Sequence, residues 1–175
     1  VPREHILLHG VNKSSADLRA ALAQAGTVVV DNLTELQELV RLSGQDSGPL
    51  PDLWLRFRPG QAVATHAHIQ TGQHDSKFGM GYDEILEAVR ICRRHQLPFT
   101  GLHFHQGSQF REPGPVGQAL DSSFELMEAI QPDEGWVLCP GGGWGVAYHE
   151  DDLPQPSIAG YVRFLTQRVC QGCRE

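Results

Sequence analysis

An α/β fold built on a parallel sheet is predicted for this 175-residue chain by three features. Short apolar, β-branched runs alternate five times with longer stretches of helical period, which is the pattern of parallel strands joined by crossover helices. Cap-type residues stand at the start of the helical stretches. Polar and glycine-rich residues collect just after the strand-like runs. In chain order the expected strands are His5–His9, Thr27–Asp31, Asp52–Phe57, Phe99–His105 and Gly135–Cys139, each followed by a helix candidate. The first helix is expected to start at Ser14-x-x-Asp17 ahead of Leu18 and Leu22. The second starts at Thr34-x-x-Gln37 ahead of Leu39, and the third at Asp83 ahead of Ile85, Val89 and Cys92. A last helix begins at Ser157 and runs through Ile158, Val162, Leu165 and Val169, with apolar residues three or four apart. Between the third strand and its helix lies an insertion, residues 58–82, rich in Gly, His and Thr. It is longer than a usual strand-to-helix connection, and long loops of that kind tend to carry function.

Composition narrows the class. The length suits one domain, 1–175, with a sizeable core, and a formal charge of -7 without a basic stripe argues against a nucleic-acid surface. No stretch approaches a membrane span and the first residues have no apolar signal core, so a cytoplasmic location is expected. Four cysteines are expected as free thiols, with Cys170-Gln-Gly-Cys173 read as a coincidental pair. His66, His68, His74, His103 and His105 invite a metal site. No helical pair of histidines or carboxylate at fixed spacing accompanies them, and no metal is expected. Asp31 is read as a helix cap and Lys13 as belonging to the same class beside Ser14, while His103, which alternates with His105 and faces the same way, is read either with it or as a hydrogen-bonded inner histidine. Arg93 and Arg94 are read as helix-end cations needing no partner, and Trp54, Trp136 and Trp144 as core or rim residues.

The polar residues fall at the carboxyl ends of the strands. Asn12 and Lys13 follow the first, Asp31 and Asn32 the second, Arg56 and Arg58 the third, His103 to Ser108 the fourth, and Gly141 to Gly143 the fifth. That is the face on which sites are built in α/β barrels and open sheets alike, and five units leave both architectures open. Two of these ends are the most specific. Three successive glycines let a backbone approach an anion closely, while His103-x-His105-x-Gly107-Ser108 offers imidazole and hydroxyl groups. Together they suit a phosphorylated, planar ring.

The order of motifs carries a resemblance over nearly the whole chain. The landmarks are Gly10-Val-Asn-Lys-Ser14, Val30-Asp-Asn-x-x-Glu-Leu36, Leu55-Arg-Phe-Arg-Pro59, His66-x-x-Ile-x-Thr-Gly72 and Lys77-Phe-Gly79. Gly101-Leu-His-x-His-x-Gly-Ser-Gln109 and Gly141-Gly-Gly-Trp-Gly145, with Tyr148 beyond, complete them. In this order the chain resembles the pyridoxal-phosphate decarboxylases with an alanine-racemase-like barrel, and within that group the diaminopimelate decarboxylases. The resemblance implies a partial (β/α)8 TIM-type barrel of about five units, lacking the first strands, the last strand and the carboxyl-terminal β domain. It implies pyridoxal 5'-phosphate as cofactor, and loss of the α-carboxylate of an amino acid, meso-diaminopimelate, as the reaction, in a homodimeric parent protein. His105 would lie against the cofactor ring, Ser108 and the amides of Gly141, Gly142 and Gly143 would cradle its phosphate, Arg56 would point into the barrel, and Lys77 would be a positioning lysine. Trp144 would border the cofactor.

The chain also departs from the family. The family's cofactor-linking lysine, in a segment like Tyr-Ala-x-Lys-Ala, has no counterpart, since the two lysines present, Lys13 and Lys77, match other positions. The Glu-Pro-Gly-Arg segment is absent, and Cys139-Pro140 replace the Asp or Asn and aliphatic residue usual before the glycines. This chain alone is therefore expected to be inactive. The alternatives are an arginine or carboxynorspermidine decarboxylase, a cofactor-binding or regulatory homologue without catalysis, and a metal-dependent hydrolase using the histidines.

Overall fold

The computed structural model describes residues 1–45, 48–60, 78–145 and 157–173. Five parallel strands, β1 (Leu7–Leu8), β2 (Thr27–Val30), β3 (Asp52–Arg56), β4 (Phe99–His103) and β5 (Val137–Cys139), lie side by side in the order in which the chain makes them. That order decides between the two architectures left open by the sequence. An open doubly wound sheet reverses its strand order at a switch point, whereas each strand of a barrel sits beside its successor. The described strands therefore form an arc of a barrel.

Each strand is shorter than expected, β1 and β5 chiefly at the amino end, where residues 3–5 form a 3-10 turn and β5 begins only at Val137, and β2 and β4 at the polar end that leaves the ladder. β2 stops before Asp31, β4 before Phe104, and β5 at Cys139, where Pro140 has no N–H to donate. Five helices, α1 (Ser15–Gln24), α2 (Leu33–Ser43), α3 (Tyr82–Arg94), α4 (Gly114–Ile130) and α5 (Ile158–Gly172), follow the strands in turn. Ser14 and Asp17 close the expected capping box on α1, and Ser157 caps α5 by accepting from Gly160 N at 3.1 Å. Two starts differ. Asn32, not Thr34, caps α2, accepting from Glu35 N at 2.9 Å, so the helix begins two residues earlier and brings Leu33 against the core. α3 starts at Gly81, whose N–H is bound by the Glu84 carboxylate at 2.8 Å, while Asp83 sits in the first turn. Arg93 does have a partner, donating to the Ile130 carbonyl at 2.6 Å, where α4 ends in a left-handed Gln131.

The core lies between sheet and helices. Val28, Val30, Leu53, Leu55, Phe57 and Leu102 pack with Leu18, Leu22, Leu36, Leu39, Ile85 and Val89. A second cluster, Phe104, Val116, Ala119 and Leu120, joins the end of β4 to α4 and α5. At the amino ends of the strands Arg3 donates to the carbonyls of Leu22, Ala25 and Pro49 and closes that side of the arc. All four cysteines are free. Burial pushes the Cys92 thiol up to about 12, whereas Cys170 and Cys173 are exposed. Among the described residues no helix is long and apolar enough to cross a membrane.

Candidate functional site

Along β3 the side chains of Leu53, Leu55 and Phe57 alternate with those of Trp54 and Arg56, so the two sets lie on opposite faces. Arg56 stands in register with His103, and His103 with Cys139, while Asp31 follows the Val30–Leu55 pair. The face away from the helices thus carries a polar row at the carboxyl ends of the strands. Asp31 is buried there and does not cap α2. Its Oδ1 accepts from Arg56 Nη1 at 2.7 Å in an ion pair largely shielded from water. Lys13 is likewise not a cap residue. Its Nζ donates to the carbonyls of Gly10 and Val29, at 2.6 and 2.9 Å, and pairs with Glu35 at 2.8 Å. Both ends of that pair are almost wholly buried, and burial pushes the Glu35 carboxyl up against the pull of Lys13. Lys13 thereby ties the ends of β1 and β2 together.

His103 meets the ring of His9 edge-on, with centroids 4.6 Å apart. Its buried Nδ1 has no hydrogen-bond partner among the described residues, contrary to the expected satisfied histidine. Burial first, then the charges of His9 and Arg56, lower its pKa to about 4. Burial, Arg56 and Lys13 lower that of His9 as well. Both shifts favour the neutral imidazole. Sequence reasoning had passed over His9, and the signal that would have found it is its place one residue beyond β1, level with the other strand ends.

Past the strands the chain makes a second set of bonds. Phe104 N donates to Cys139 O at 3.0 Å, Phe110 N to Gly143 O at 3.1 Å and Gly145 N to Phe110 O at 2.8 Å, so the loops after β4 and β5 run together. Gly141 and Gly143 have positive φ, and a Cβ on Gly141 would lie 2.5 Å from Phe104 O and 3.1 Å from His105 Nδ1. On Gly143 it would lie 1.9 Å from Gly107 O. Only glycine allows this approach. Gly142 has nothing within 4 Å of its Cβ position, and Gly142, His105 and Ser108 are exposed. The result is an open cradle of backbone, hydroxyl and imidazole, which fits a phosphate and a flat ring. Trp144 stacks on Tyr161 of α5, centroids 4.2 Å apart, and meets Phe110 edge-on, anchoring the glycine loop to the helix that follows it.

The structure brings His105, Ser108, Gly141, Gly142 and Gly143 to neighbouring loops, and Arg56 to the row beside His103. Lys77, like His66, His68, His74 and Tyr148, lies outside the described residues. Among the described residues no group of three or more His, Cys, Asp or Glu side chains could hold a metal ion.

The arc of a parallel barrel, with its polar row and glycine loop at the carboxyl ends of the strands, defines the chain as part of an α/β-barrel domain. Residues 1–175 match the family described as pyridoxal-dependent decarboxylase, pyridoxal binding domain, and the chain belongs to that family, whose cofactor is pyridoxal phosphate. It is 39% identical over 177 residues to a diaminopimelate decarboxylase of Synechocystis sp., which covers 97% of this chain and 36% of that protein. Against the diaminopimelate decarboxylase of Bacillus subtilis it is 35% identical over 96% of this chain and 39% of the relative. The chain thus spans about two fifths of the length of these relatives. In fold it superposes on diaminopimelate decarboxylase from Helicobacter pylori complexed with L-lysine, with a TM-score of 0.78 at 24% identity, over 97% of this chain and 43% of the other. For lysine/ornithine decarboxylase from Vibrio vulnificus complexed with putrescine the TM-score is 0.74 at 24% identity, over 97% and 42%.

Proposed function

We propose that this chain is the cofactor-binding part of a longer, homodimeric, cytoplasmic decarboxylase that converts meso-diaminopimelate to lysine and CO2. The observation that carries the reading is the seat of His105 against Gly141 beside an open Gly142, in a chain whose curated relatives include diaminopimelate decarboxylases. When bound, pyridoxal phosphate supplies an acceptor for the electron pair left as the carboxylate departs. The chain's own residues hold and orient. The imidazole of His105 would hold the cofactor ring by stacking on it. The Ser108 hydroxyl and the amides of Gly141, Gly142 and Gly143 would hold its phosphate, as donors already set by the loops. Arg56 faces the site from β3, and Lys77, in the insertion, would be the family's positioning lysine. Lys13 is held by Gly10, Val29 and Glu35 and is unsuited to link the cofactor. That lysine belongs to the rest of the barrel, and this chain alone is inactive.

The test is a titration of the chain with pyridoxal phosphate followed by absorbance, then borohydride reduction and peptide mass analysis. Saturable binding with no adduct on Lys13 is expected. Gly142→Ala should leave the melting temperature unchanged, because its methyl group touches no protein atom, and on the proposed reading should lower the affinity at least tenfold by crowding the phosphate at the adjacent amides. Equal affinity in that variant would refute the cradle. For substrate, CO2 release by the longer protein should favour meso-diaminopimelate over arginine, ornithine and lysine, and a preference for arginine would move the assignment to that branch.

A further inference from the structure

Arg56 is fixed from three sides. Asp31 Oδ1 accepts from its Nη1 at 2.7 Å. The ring of Phe78 lies under the guanidinium carbon, 5.3 Å from centroid to carbon, a cation–π arrangement. Gly79, with φ of +77°, approaches so closely that a Cβ there would be 3.0 Å from Arg56 O and 3.3 Å from Arg56 Cγ. Backbone bonds hold that approach, since Met80 N donates to Arg56 O and Arg58 N to Met80 O, each at 2.8 Å. A free arginine samples many rotamers, and this one is confined to a single direction.

Asp31 is the member of this clamp whose presence needs explaining. It is 3% exposed and sits where a strand gives way to a helix, yet Asn32 caps that helix. A carboxylate is costly to bury unless an ionic partner compensates it, so the site forces the pairing with Arg56 rather than merely allowing it. Asp31 has the remaining role of directing Arg56. We infer that Asp31 is a positioning residue, holding the Arg56 guanidinium over Phe78 at the level of the cofactor site. Arg56 in turn neighbours His103 in the strand register, so the pair sets where positive charge lies on that face.

The inference rests on the cofactor reading only for its second measurement. In the first, proton exchange at the Arg56 guanidinium Nη1, the atom that donates to Asp31, is followed by NMR in the chain without ligand. Arg56 should exchange at least tenfold more slowly than the exposed Arg94, and Asp31→Asn should remove most of that protection. Exchange as fast as at Arg94, or protection that survives Asp31→Asn, would overturn the inference. The comparison with Arg94 uses the unmodified chain and stands even if the variant folds poorly. In the second, Asp31→Asn should weaken pyridoxal phosphate binding at least fivefold in the wild-type background, but less than twofold when added to Arg56→Met. An undiminished further loss in the double variant would show that Asp31 acts by stabilising the fold and not through Arg56. Failure of the wild-type chain to take up pyridoxal phosphate would count against the cofactor reading alone, because proton exchange needs no ligand.

Discussion

The two faces of the sheet are built on opposite rules. Toward the helices, Val28, Val30, Leu53, Leu55, Phe57 and Leu102 are each no more than 2% exposed, and the helices that follow the strands complete their packing. The other face mixes Trp54, Arg56, Asp31 and His103 with apolar side chains left partly bare at the sheet margins, Leu7 at 45% and Val137 at 37% exposure. The contrast follows from the order of packing in a barrel. A strand and the helix after it bury one face locally, whereas the inner face is finished only by strands across the barrel. The proposed site adjoins the face that local sequence does not complete.

The largest expected effect tests the covered face. Phe57→Ala should cost about 3–5 kcal/mol in urea unfolding, because the cavity cannot collapse within packed helices. Val137→Ala, on the bare margin, should cost under about 1 kcal/mol. Near-equal losses would erase the distinction between the faces. Lys13→Met should cost about 3 kcal/mol by leaving Glu35 buried without its cation, and Lys13→Met/Glu35→Met should recover most of it.

On the polar row, His103 should make stability depend on pH. Its folded-state pKa is lowered to about 4, below the unfolded value of 6.5, so its contribution is whole above pH 6.5 and is lost as pH falls from 6.5 toward 4. Over that window unfolding experiments should show a loss of at most about 3 kcal/mol that His103→Gln removes. An unchanged pH slope in the variant would place the effect elsewhere. Within the glycine loop the two positions should differ. Gly143→Ala meets Gly107 O and should destabilise by about 1–3 kcal/mol, while Gly142→Ala should unfold like the wild type.

Much of the outer half of this architecture is local and was therefore legible. The Ser14–Asp17 capping box, the Ser157 cap and the alternation of Leu53, Leu55 and Phe57 each follow from residues a few positions apart. The α2 start was misread because Thr34-x-x-Gln37 and Asn32-x-x-Glu35 overlap, and the latter prevails only once Leu33 is seen to pack against the core. Asp31 and Lys13 looked like cap residues for the same reason: adjacency in sequence to a helix start. Their partners, Arg56 and Glu35, lie 25 and 22 residues away, and only strand pairing brings them together.

What the amino-acid sequence determined by itself is the alternation of strand and helix, the placement of polar groups at the strands' carboxyl ends, and the glycines that a close backbone approach demands. Each depends on conformational preference and on spacing along the chain. The tertiary structure alone decided that the strands follow one another without reversal, that Asp31 grips Arg56, that His9 meets His103, and that Gly141 seats His105. Those are meetings of residues far apart in the chain, and their geometry exists only after the strands have paired in register.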